Sequence, residues 1–112
     1  MARPYALRLA RAEACTHSLN GRDVDERFRE AGFRDEHRGE NLGCGWGRTP
    51  REMVLFTFRL MQNERSWGGP HWRQMRDTRW RSVGIGVMAV GTQSRIVYDF
   101  YGQPAPDPGR PD

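Results

Sequence analysis

Lysine is absent from this chain. All 18 basic residues are arginine, set against 14 acids for a formal net charge of +4. Arginine offers planar, bidentate contacts that lysine cannot, so phosphate recognition has to be weighed, although an arginine-favouring coding bias is the plainer explanation. Long apolar runs are absent too: no window approaches the ~18 apolar residues of a helical membrane span. The start, MARPYALRLARAEAC, shows no signal peptide, because Arg8 and Arg11 break what would be its apolar stretch. Cysteine is scarce. Cys15 and Cys44 exclude a four-cysteine zinc site and leave either one bridge or two free thiols. There is no glycine-rich phosphate loop, no HExxH and no GxSxG.

What is present suits one domain. A chain of 112 residues, 37% hydrophobic and 11% aromatic, can bury a modest core. Residues 5–14, YALRLARAEA, read as the carboxyl end of a helix with small alanines for close packing. Asn20-Gly21 marks a turn, and Asp23 caps a short helix, VDERFREAG, ending at Gly32 with Val24, Phe28 and Ala31 buried. RDEHRGE reads as a polar loop, and residues 40–46 as a short, irregular strand. TPRE is a capping box with Pro50 in the first turn. The helix it opens, MVLFTFRLMQN, is apolar nearly all round, which predicts packing on more than one side.

WGGP then breaks the chain, and HWRQMRD supplies one or two helical turns. Residues 82–90 and SRIVYDFYG form a hairpin across Gly91-Thr92-Gln93. The tail at 103–112 is Pro-rich and polar, which predicts disorder. The order predicts an α+β fold, an αβα sandwich with a small antiparallel sheet flanked by helices, over residues 1–102.

Chemistry rests on few residues. The histidines are His17, His37 and His71; Cys15, two residues before His17, has only the superficial look of a thiol nucleophile. Arg73, Arg76, Arg79 and Arg81 alternate with Trp72 and Trp80, a combination suited to phosphate contacts and base stacking. Asp77 interrupts that charge, and Trp72, Met75 and Trp80 read better as anchors beneath solvated arginines, so nucleic-acid binding is the weaker reading.

Six blocks stand in order: THS (16–18), RFREAGF (27–33), GENLGCG (39–45), LMQNERSWGGPHWRQM (60–75), SVGIGV (82–87) and VYDFYG (97–102). Together they resemble the CAP superfamily of cysteine-rich secretory, antigen 5 and pathogenesis-related 1 proteins, in its bacterial SCP-like branch. The resemblance implies a cleft lined by His17, Glu40, Glu64 and His71, with His37 outside it. Such a set suits Zn²⁺ or another divalent cation, and the family also implies small-molecule or lipid ligands. A metal-dependent hydrolase with Glu40 or Glu64 as general base is the enzymatic alternative. The family is mostly secreted, which implies a secreted or periplasmic protein; with no signal peptide visible, a true start at Met1 would imply a cytoplasmic one. Its members carry a longer helical region before the His turn, so the chain reads as a fragment, a mis-started product or a reduced variant. Because Cys15 lies near His17 and Cys44 near Glu40, the same cleft would permit a bridge between them.

Overall fold

The computed structural model describes residues 1–33 and 37–102. Helices α1 (Ala2–Arg11) and α2 (Val24–Glu30) precede strand β1 (Arg38–Trp46). Helices α3 (Pro50–Asn63) and α4 (Pro70–Arg76) follow, and the hairpin of β2 (Ser82–Val90) and β3 (Gln93–Tyr101) closes the fold. One-turn 3-10 segments occupy Leu19–Gly21 and Glu64–Ser66. The three strands form one antiparallel sheet in the order β1-β3-β2. The α+β expectation holds. The predicted tail lies outside the described residues, as do residues 34–36, the start of the RDEHRGE loop.

Because side chains alternate across a sheet, the register sorts the core. Leu42, Val97 and Gly86 lie side by side on one face, Gly43, Ile96 and Val87 on the other. The first face takes α1: Tyr5, Ala6 and Leu9 are buried against Val97, and full burial of a side chain the size of Leu9 stabilises by about 1.5–3 kcal/mol. α1 runs so close that a methyl group on Gly86 would sit 2.4 Å from the Arg3 backbone, which is why the SVGIGV strand needs glycine there. The opposite face takes α3, whose Met53 and Met61 pack on Ile96, Tyr98 and Phe100. A third cluster joins Phe28 and Phe33 to Tyr101, with the Phe33 and Tyr101 rings stacked at 3.7 Å.

Local signals in the sequence acted as expected at several points. Asp23 accepts from Glu26 N, and Thr49 and Glu52 exchange both capping-box bonds. The hairpin turns at Gly91, in the left-handed region at φ +58. Four expectations need correction. The first helix ends at Arg11 rather than near residue 14, because Glu13 turns left-handed at φ 53. Ala31 is exposed, since it caps α2 instead of lying within it. β1 is not short or irregular: the central strand β3 pairs it along all nine residues, 38–46. Nor is α3 packed on several sides. Only Met53, Thr57 and Met61 are buried, and Val54, Leu55, Phe58 and Leu60 are all more than 40% exposed.

Candidate functional site

Edge strand β1 carries the site. Glu40 points to the α1 face of the sheet, and Asn41 to the α3 face. Each face holds one histidine-glutamate pair.

On the α1 face the loop after α1 delivers His17. A Cys15–Cys44 disulfide joins that loop to β1, deciding the open question of the two cysteines. Tyr5 Oη donates to Thr16 O at 2.5 Å, and Arg27 Nη2 donates to His17 O at 2.9 Å, so the backbone on both sides of His17 is pinned. His17 Nδ1 then meets Glu40 Oε1 at 2.9 Å. Arg27 grips the same carboxylate with two bonds of 2.7 and 2.8 Å, its guanidinium 3.4 Å above the Tyr5 ring. Burial alone would raise the Glu40 carboxyl, but hydrogen bonds from Arg27 and His17 outweigh it and hold the group near 2.

Asp99 lies directly across from Glu40 on β3 and is fully buried. Among the described residues neither of its oxygens meets an N–H donor. Burial first, and the adjacent Glu40 second, push its carboxyl up to about 9. At neutral pH Asp99 is therefore the neutral member of the two acids.

On the α3 face the second pair is local. Glu64 follows α3 directly, and its Oε1 accepts from His71 N at 2.8 Å and Trp72 N at 3.0 Å. This carboxylate caps α4, whose own N-cap, Gly69, has no side chain to offer. Glu64 Oε2 meets His71 Nδ1 at 2.8 Å. Partial burial works against ionisation here too, and the Trp72 amide and the His71 ring overcome it, lowering the carboxyl. α4 is tied to β1 through Asn41 and Gln74. Asn41 Nδ2 donates to His71 O at 3.0 Å, and Gln74 Nε2 donates to Glu40 O at 3.0 Å. A cavity of about 310 Å³ opens between β1 and α3, lined by Leu42, Cys44, Phe56, Leu60, Glu64 and His71 among others.

The structure thus brings together His17 with Glu40, and Glu64 with His71, as two pairs flanking one strand. Among the described residues no three of His, Cys, Asp or Glu gather closely enough to hold a metal ion. His37 belongs elsewhere: it lies 3.2 Å from Asp77 and stacks on Trp80. Two members of the arginine-tryptophan segment are internally engaged: Arg79 chelates Asp77, and Trp80 stacks on both His37 and Phe100.

Sequence reasoning missed Arg27, Asp99, Asn41 and Gln74. The only signal for them was position: Asn41 follows Glu40, and Gln74 stands one turn after His71. No family model, curated protein or solved structure matches the chain.

Proposed function

We propose that this chain is a CAP/SCP-like domain that binds a divalent cation or a small, partly apolar ligand along β1 through His17 and His71. One observation carries the reading. Each imidazole has its Nδ1 held by a carboxylate while about half of the side chain stays exposed, 50% for His17 and 44% for His71. A carboxylate on Nδ1 fixes ring orientation and tautomer, leaving Nε2 as the free electron pair. This is how proteins prepare a histidine to ligate or to accept a proton.

The two glutamates fit the supporting role and not that of ligand. Both Glu40 oxygens are taken by Arg27 and His17, and both Glu64 oxygens by α4 amides and His71. The four-ligand centre of His17, Glu40, Glu64 and His71 therefore does not fit this arrangement; the imidazoles alone are free to hold a cation. A bound divalent ion would supply Lewis acidity to a neighbouring ligand. Neither glutamate is suited to act as general base, because each is ionised well below neutrality and already accepts its bonds. A hydrolytic role would fall to His17 or His71.

The apolar wall of Leu42, Phe56, Leu60 and Met61 beside His71 supports a ligand with a hydrocarbon body. The disulfide supports a protein that works outside the reducing cytosol. Zinc titration by calorimetry is the test. The wild type is expected to bind, and the His17→Ala, His71→Ala double variant to lose binding. Absence of wild-type binding, or its persistence in the double variant, overturns the reading.

A further inference from the structure

A second cavity, of about 200 Å³, lies between α1 and α2, and it is lined by Arg8, Arg22, Arg27, Glu30, Pro4 and Ala31 together with Met1. Three arginines and one glutamate thus line it. The charges do not cancel within the group. Arg22 pairs with Glu30, and Arg27 pairs with Glu40 on β1. Arg8 has no ion pair among the described residues; its guanidinium lies 5.7 Å from the Tyr5 ring centre.

Arg27 supplies the second observation. Its residue is only 4% exposed, and its two terminal nitrogens make three hydrogen bonds, two to Glu40 and one to the His17 carbonyl. Its Nε is buried and has no acceptor among the described residues. A charged donor left orphaned in the interior is costly, and native structures fill such positions with a water or an ion. Here the orphan belongs to a residue that lines a cavity rich in arginine.

We propose that this cavity is an oxyanion site, taking a phosphate group between Arg8, Arg22 and the Nε–H of Arg27. Arginine presents planar N–H pairs matched to phosphate oxygens. The cavity size suits a phosphate or phosphomonoester head, and its open side leaves room for whatever the phosphate is attached to. Glu30 is the one opposing charge; it stays on Arg22, whose remaining N–H groups face the anion. The site shares Arg27 with the β1 cleft, while Arg8 and Arg22 belong to this cavity alone.

Inorganic phosphate is the first probe, followed by ¹⁵Nε–H signals of arginine and by calorimetry on the full chain. The wild type is expected to bind saturably and to shift the Arg27 Nε–H resonance. Arg8→Gln with Arg22→Gln, both on exposed side chains, is expected to weaken binding at least about tenfold, the loss of one or more charge-assisted bonds. Its thermal midpoint without phosphate should stay near that of the wild type, so that lost binding is not lost folding. Competition by glycerol phosphate assigns the site to soluble phosphomonoesters. Competition only by vesicles containing phosphatidic acid assigns it to a lipid headgroup. Non-saturable binding, an unmoved Nε–H signal, or equal affinity in the double variant overturns the proposal.

Discussion

The two histidine-glutamate pairs have nearly the same contact, 2.9 Å for His17 with Glu40 and 2.8 Å for His71 with Glu64, yet they are built from opposite materials. Glu40 is buried, with 1% of its side chain exposed, and its partners come from α2, from the loop after α1 and from β3 across the sheet. Glu64 sits seven residues from its histidine, is more exposed, and binds two backbone amides of the next helix. The first pair is a product of tertiary structure and the second of local chain geometry. The same chemistry at the imidazole therefore carries very different energetic weight.

Removing Arg27 is the strongest way to expose that difference. Arg27→Met keeps the bulk over Tyr5 but leaves the Glu40 carboxylate buried without its cation. Breaking a buried pair from one side costs about 3–5 kcal/mol, so the urea midpoint should fall steeply. Restoring neutrality with Glu40→Gln in the same chain should recover part of the loss. An Arg27→Met protein as stable as the wild type would show that Glu40 is solvated and that the two pairs are alike.

Asp99 sharpens the comparison through pH, because the second pair has no such neighbour. Its carboxyl is raised from 3.8 to about 9 on folding. The folded chain thus holds a proton that the unfolded chain releases, and stability contributed by that proton is lost as pH rises from about 4 toward 9. Asp99→Asn keeps a donor toward Glu40 and needs no proton. It should stabilise by about 1–3 kcal/mol at pH 7, with the gain shrinking toward pH 4. Glu40 has the opposite sign. Its carboxyl falls from 4.5 to about 2, so the stability it contributes is present above 4.5 and is lost as pH drops toward 2. Denaturant titrations of both proteins across pH 3 to 9, roughly the span between those values, read both limbs. A constant difference between them would remove the buried-proton account of Asp99.

How far each pair was legible in the sequence follows the same division. Glu64 and His71 stand on one continuous stretch, and WGGP signals the break that folds one onto the other. The caps at Asp23 and Thr49 and the hairpin at Gly91 were readable for the same reason: each is decided within a few residues. His17 and Glu40 were reached only through the resemblance of their blocks, and Arg27 was invisible. In RFRE it has the look of a solvated helix charge, and nothing local says that it turns inward to β1. Asp99 depends on the β1–β3 register, which no single strand encodes. The exposed side of α3 failed for a related reason. Its composition announces apolar side chains such as Val54 and Phe58, but the pattern does not state what lies above them.

The smallest effect is expected at Glu64, and it completes the contrast. Glu64→Ala removes a side-chain cap from α4, which typically costs about 1 kcal/mol and lowers the thermal midpoint by roughly 4 °C in a chain of this size. Its mark should be local. The His71 and Trp72 amides lose their acceptor and should exchange with solvent faster, while the amides of β3 remain protected. Asn41 still holds the His71 carbonyl, so α4 should stay docked on β1 even as its first turn frays. His71 would then keep its place but lose its orientation. Zinc affinity should fall by about 10–100-fold, as it does when a supporting carboxylate is removed, with little change in global stability. A loss of stability rivalling that of Arg27→Met would mean that the second pair is as much a part of the tertiary core as the first.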